Sequence, residues 1–98
     1  MNMAALSALQ PVGVVGAGAM GAGIAQVAAL AGHPVRLFDL RADAARQAVD
    51  SQCAQLAQLA GKGRLDAAQA EAASARLSAV SELAELAGCA LVIEAIVE

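Results

Sequence analysis

Three glycines and one aspartate carry the chemistry that this chain most clearly offers. Gly16, Gly18 and Gly21 lie in the run Val12-Gly13-Val14-Val15-Gly16-Ala17-Gly18-Ala19-Met20-Gly21-Ala22-Gly23, and Asp39 closes the next apolar run, Val35-Arg36-Leu37-Phe38. A pyrophosphate needs bare backbone N–H groups at a helix N-terminus, and side chains in the turn before that helix would block it. Gly16 permits the tight turn, Gly18 lets the pyrophosphate approach the backbone, and Gly21 lets the helix pack closely on the sheet. The amides of Ala19 and Met20 are the expected phosphate donors, with Ala17 beside them in the loop, helped by about half a unit charge of helix dipole. An acid roughly 20 residues after a G-x-G-x-x-G makes the pattern far more specific than the glycines alone. Asp39 is expected to accept from both ribose hydroxyls of an adenosine and to repel a 2′-phosphate, which favours NAD over NADP. Its alternative role is that of a strand-end turn residue. Arg41 is the one discordant neighbour, because an arginine near this position can accommodate a 2′-phosphate.

The elements that must position these residues can be read from apolar runs and chain breakers. Val12–Val15 lacks alternation, as a central parallel strand covered on both faces would. A helix is expected over Ala19–Ala31, closed by Gly32 and barred from continuing by Pro34. The second strand lies within Pro34–Leu40 and turns at Asp39. Asp43 is placed to cap a helix over Ala44–Ala60, whose Val49, Cys53, Leu56 and Leu59 or Ala60 share one apolar face. Gly61-Lys62-Gly63 breaks it. A further helix is expected from Asp66 to Ala75, a strand over Arg76–Val80, a turn or two of helix over Glu82–Ala87 capped by Ser81, and a strand over Ala90–Ala95.

The order β-α-β-α-α-β-α-β is that of parallel crossover units, an α/β fold of Rossmann type with strands ordered 3-2-1-4. Strand four would stand at an edge, yet Leu91-Val92-Ile93 has the composition of a covered strand. Residues 1–11, which precede the first apolar run, are expected to be a loose leader. Residues 12–98 are expected to be part of a dinucleotide-binding domain that continues, with two more strands, beyond Glu98.

Composition excludes several other functions. The 98 residues carry a net charge of −3 and 1% aromatics, so neither a basic face nor a stacking platform invites nucleic acid. His33 is the only histidine, and the two cysteines match no metal spacing, so no Cys/His zinc site can be assembled. Cys53 and Cys89 are expected to be free, buried thiols of a reducing, cytoplasmic compartment. His33 is expected to be a turn residue. A membrane span over Val12–Gly32 has the right length but fails on its glycines and its missing basic flanks, and Met1–Gln10 lacks the charged n-region of a signal peptide. Glu94 and Glu98 fall at the strand ends where open α/β sheets bind ligands.

Together, Gly16-Ala-Gly-Ala-Met-Gly-Ala-Gly-Ile-Ala-Gln-Val-Ala-Ala, Gly32-His33, Asp39 and Leu91-Val-Ile-Glu-Ala-Ile-Val-Glu98 resemble the N-terminal domain of 3-hydroxyacyl-CoA dehydrogenases, from Val12 to Glu98. The resemblance is strongest to the bacterial 3-hydroxybutyryl-CoA and 3-hydroxyadipyl-CoA types, the latter acting in phenylacetate breakdown. It implies NAD held by the Gly16–Gly21 loop and Asp39, a contact from Glu98, and Ala95 backbone beside the nicotinamide. It implies that Lys62, otherwise a cation at a helix end, meets the coenzyme A moiety of an acyl-CoA substrate. Gln55 stands where the family often has serine. A catalytic His–Glu pair and a helical domain forming a homodimer are implied beyond this chain, so none of its residues is expected to be catalytic. A related hydroxy-acid or sugar-acid dehydrogenase and a non-catalytic dinucleotide-binding module are the alternatives; fold alone does not separate them.

Overall fold

A computed structural model describes residues 10–96. The elements follow in the order β1 (Val12–Val15), α1 (Ala19–Leu30), β2 (Val35–Phe38), α2 (Ala44–Gly61), α3 (Ala67–Arg76), β3 (Leu77–Ala79), a 3-10 turn (Leu83–Leu86) and β4 (Leu91–Glu94). All strands run parallel in the order β3-β2-β1-β4. Each element lies within two residues of its expected bounds, and the sheet order is the expected one. Most of the proposed leader, and Glu98 itself, lie outside the described residues.

The register ties the ends of three strands together. Val15 pairs with Phe38 on one side and with Glu94 on the other, so the segments after β1, β2 and β4 leave the sheet side by side. Alternation sends Val12 and Val14 to one face, where they are fully buried with Val35 and Leu37. That face is covered by the helices: Ala25, Ala28 and Ala29 of α1, Ala45 and Leu56 of α2, and Ala70 and Ala73 of α3 join the same core. Alanine at these positions keeps the helices close to the sheet while supporting helix formation. The opposite face has a thinner cover. There the side of Gly13 is closed by Leu86, Cys89 and Val92, each of which would lie within 3.4 Å of an added Cβ.

The breaks are set by hydrogen bonds that follow from the glycines. Gly32, at φ 107°, lets His33 N–H donate to Ala28 O and Gly32 N–H to Ala29 O, closing α1. The same pair of bonds, Arg64 N–H to Leu59 O and Gly63 N–H to Ala60 O, closes α2. Asp66 caps α3 as expected, accepting from Gln69 N–H at 3.2 Å. Arg76 Nη1 reaches across to Ala29 O at 2.9 Å, placing a cation on the C-terminal carbonyls of α1.

Four local expectations are corrected. Asp43 stands at the start of α2, but its side chain caps nothing; its backbone is left-handed (φ 62°), continuing the turn that Ala44 N–H closes on Arg41 O. Ser81 does not cap the 3-10 turn. It donates to Glu85, whose carboxylate folds back to accept the N–H groups of Ser81 and Glu82 at 2.9 Å each. His33 is a buried side chain (2% exposed) linked through Nδ1 to Gln10 O at 3.1 Å, so it plugs the bottom of β1 as well as following a turn. Cys53 and Cys89 are free but only half-buried. β4 does stand at the edge, with Val92 45% exposed.

Candidate functional site

The ends of β1, β2 and β4 enclose a cavity of about 420 Å³ lined by Val15, Gly16, Gly18, Asp39, Leu40, Arg41, Ala95 and Ile96. It sits at the C-terminal edge of the parallel strands, where the chain order reverses between β1 and β4, the position at which open α/β sheets bind ligands.

Packing requires two of the three loop glycines and leaves the third free of contact. Gly16 has φ 109°, and a Cβ there would lie 2.8 Å from Ala95 O; its N–H donates to Phe38 O at 2.8 Å. The turn is therefore clamped between β2 and β4. A Cβ on Gly21 would run into the carbonyl oxygen of Gly16, so α1 approaches the turn too closely for any side chain. Gly18 differs from both. A Cβ there would meet nothing within 4 Å, and the residue lines the cavity. Packing does not require a glycine at 18; the bare backbone there borders the cavity.

Gly18 is also the N-cap of α1, with no side-chain cap and no acid in the first turn. Its carbonyl takes the first helical bond, from Ala22 N–H at 2.9 Å. The amides of Ala19 and Met20 precede that bond and have no carbonyl four residues back within the helix. Both residues are exposed, Met20 at 59%. An uncapped helix start with its positive dipole end open to a cavity is a ready anion site. Ala17 contributes differently from its neighbours: its N–H donates to Asp39 Oδ2 at 2.7 Å, so it locks the loop to β2.

Asp39 is held on every side. Besides Ala17, it accepts Arg41 N–H (2.8 Å) and Arg41 Nε (3.0 Å) on Oδ1, and Arg41 Nη2 (2.9 Å) on Oδ2. The Asp39 side chain is 8% exposed and that of Arg41 69%. The Arg41 guanidinium, above all, holds the Asp39 carboxyl well below the usual carboxylate range; burial opposes this, and the Ala17 amide assists it. Asp39 is therefore an anion at any physiological pH.

Ala95 is buried, donates to Val15 O at 2.8 Å and lines the cavity. Glu94, the last residue of β4, is exposed and does not line it. Lys62 is apart from all of these. It is the C-cap of α2, and that helix, at 18 residues, spans about 27 Å from the Asp39 turn. Gln55, on α2, shares the amide of Gln26 with Gln52 (Nε2 to Oε1 at 3.1 and 2.6 Å). A second hollow of about 300 Å³ adjoins the first across Asp39 and Arg41 and includes Arg46 and Ser81. Arg36, unnoticed in the sequence, reaches from β2 to Glu85 O at 3.1 Å and fixes the connection into β4.

A glycine-cradled helix start, an acid at the end of the second strand and a cavity at the switch point define a dinucleotide-binding domain of the doubly wound class. The chain matches the family model described as 3-hydroxyacyl-CoA dehydrogenase, NAD binding domain, over residues 11–98, and it belongs to that family; NAD is the cofactor of such a domain. It is 44% identical to 3-hydroxyadipyl-CoA dehydrogenase of Escherichia coli (strain K12) over 90 residues, covering 92% of this chain and 19% of that protein. It is 43% identical to 3-hydroxybutyryl-CoA dehydrogenase of Bradyrhizobium diazoefficiens, covering 92% of this chain and 31% of that one. The crystal structure of 3-hydroxybutyryl-CoA dehydrogenase from Escherichia coli K12 superposes with a TM-score of 0.86 at 44% identity, covering 95% of this chain and 20% of that one. The (S)-3-hydroxybutyryl-CoA dehydrogenase of Ralstonia eutropha does so with 0.82 at 36% identity, covering 92% and 32%. The chain thus spans between a fifth and a third of the length of these relatives.

Proposed function

We propose that these residues form the cofactor-binding part of an NAD-dependent dehydrogenase that oxidises the 3-hydroxyl of an (S)-3-hydroxyacyl-CoA to a 3-oxoacyl-CoA. The observation that carries the proposal is the pairing of an uncapped α1 start, with empty space at Gly18, and a buried carboxylate at Asp39 on the same cavity. NAD supplies the hydride acceptor when bound. The amides of Ala19 and Met20 hold its pyrophosphate, Gly16 and Gly18 leave room for it, and Asp39 takes the adenosine ribose. Ala95 and Ile96 wall the cavity on the β4 side, and Glu98, which lies outside the described residues, is assigned a cofactor contact on the sequence resemblance alone. The substrate loses a hydride from C3 and a proton from its hydroxyl; the proton passes to a base that lies outside these residues.

Lys62, about 27 Å along α2 from the Asp39 turn, is too distant to share the ribose site and suits an anion of a second ligand, here coenzyme A. The relatives' names support 3-hydroxyadipyl-CoA and 3-hydroxybutyryl-CoA as the substrates to try; a part in phenylacetate breakdown is proposed on the sequence resemblance alone. A homodimer formed through a helical domain, and a cytoplasmic location, complete the proposal.

Two assays test it. The full-length protein should form NADH with one or both acyl-CoA substrates; tight NAD binding without turnover of either would overturn the activity. Asp39→Ala should weaken NAD far more than NADP; equal loss of both would overturn the role of Asp39.

A further inference from the structure

Arg41 has no assigned part in the site, yet its side chain occupies half of the acceptor capacity of Asp39. An ionised carboxylate offers about four lone-pair positions, and all four are filled. Two are taken by backbone amides, Ala17 N–H on Oδ2 and Arg41 N–H on Oδ1, which the chain itself fixes. The other two are taken by the guanidinium, Nη2 on Oδ2 at 2.9 Å and Nε on Oδ1 at 3.0 Å. A ribose presents two vicinal hydroxyls, one donor for each carboxylate oxygen. Those are the two places that the guanidinium fork holds.

We propose that Arg41 is a displaceable stand-in for the ribose diol and that it narrows the preference of this site for NAD over NADP. This rests on Asp39 being the ribose acceptor. To bind NAD, the guanidinium must leave Asp39. It can do so because it is 69% exposed, whereas the carboxylate is 8% exposed and cannot turn away. The ion pair therefore competes with NAD and lowers its affinity. The effect on NADP has the opposite sign. A guanidinium beside Asp39 offsets the negative charge that would repel a 2′-phosphate, and it lies on the wall shared by the cavity and the neighbouring hollow, where it can pair with that phosphate. Arg41 is thus a specificity-determining residue that acts on NAD through Asp39 and on NADP both through Asp39 and by direct pairing with the 2′-phosphate.

The test is direct titration of NAD, ADP-ribose and NADP onto the full-length protein, as wild type, Arg41→Ala and Arg41→Met. Exposed ion pairs are weak, so the expected gain is modest: NAD and ADP-ribose should bind about two- to fivefold more tightly to both variants. NADP should bind more weakly to both, and the difference from wild type should shrink as salt is raised. A purely structural arginine would move NAD and NADP in the same direction. Wild-type binding of NAD with unchanged or weaker binding by both variants would overturn the inference and leave the cofactor reading intact. If wild type and variants alike fail to bind NAD, the cofactor reading falls and this inference with it.

Discussion

Gly18→Ala separates the ligand from the fold more cleanly than any other change in this chain. Gly18 has φ −72° and ψ −172°, an extended conformation open to alanine, and a Cβ there meets nothing within 4 Å. Alanine is a poorer N-cap than glycine by roughly 0.5–1 kcal/mol. It also restricts the unfolded chain, which returns about 0.4–1 kcal/mol. The two nearly cancel, so the unfolding midpoint should stay within about 0.5 kcal/mol of wild type by the same estimates. Binding should not survive so well. The new methyl group stands in the cavity in front of the α1 amides and holds a pyrophosphate off them. Losing two charge-assisted hydrogen bonds, at roughly 1.5–3 kcal/mol each, weakens NAD by about 10²–10⁴-fold. Denaturant unfolding and calorimetric titration with NAD, on the same preparation, measure both quantities. Gly21→Ala is the contrasting control: its methyl would run into the Gly16 carbonyl, so stability and binding should fall together. Gly18→Ala protein that binds NAD within about twofold of wild type would refute the phosphate approach at this backbone.

Acid should loosen the site in a defined direction. The folded-state pKa of Asp39 is depressed, chiefly by the Arg41 guanidinium, so its contribution to stability is complete above the ordinary aspartate pKa of about 3.9 and is lost as pH falls below that. Acid unfolding of Asp39→Asn should therefore lose part of the dependence seen in wild type below about pH 4; superimposable profiles would contradict it. Arg76→Met keeps the length of the side chain but removes the charge from the end of α1. It should cost about 1–2 kcal/mol in denaturant unfolding, and a loss below about 0.3 kcal/mol would show that the 2.9 Å bond to Ala29 O adds nothing.

How far the sequence reached depends on where each signal resides. Strands and helices were legible because they are written in periods and breakers: the apolar run Val12–Val15, the alanine-rich α1, and Gly32 with Pro34 after it. Alternation of element types gave the parallel sheet, and the doubly wound arrangement it belongs to gave the strand order. The place of Asp39 after β2, beside the glycine turn, was legible because residue type and spacing are both local to the motif. The ties of Asp39 to Ala17 and Arg41 were less so. The Ala17 bond joins residues 22 apart, and only the packed sheet brings them together. Arg36 and Arg76 went unnoticed because their partners are backbone carbonyls, Glu85 O and Ala29 O, which leave no mark in a sequence. Asp43 misled for the converse reason. It has the side chain of a cap at the place of a cap, but its backbone turns left-handed and carries the carboxylate away from the helix amides. The burial of His33 had a sequence sign: the residue after a helix-ending glycine commonly packs back onto the helix.

The clamp on Gly16 has a consequence for how the protein is made. Its turn is pressed against Ala95 O, a residue that enters the chain only after most of the sheet has been synthesised. The glycine loop leaves the ribosome early, but its β4-side wall arrives later by the time needed to add the intervening residues, on the order of 4–15 s at ordinary elongation rates. Until then, the loop has its β2 contact through Phe38 O and lacks its second jaw. A nascent chain halted before Ala95 would present the whole fingerprint and still hold no rigid cradle, so capture on an immobilised dinucleotide should begin only once β4 has cleared the exit tunnel.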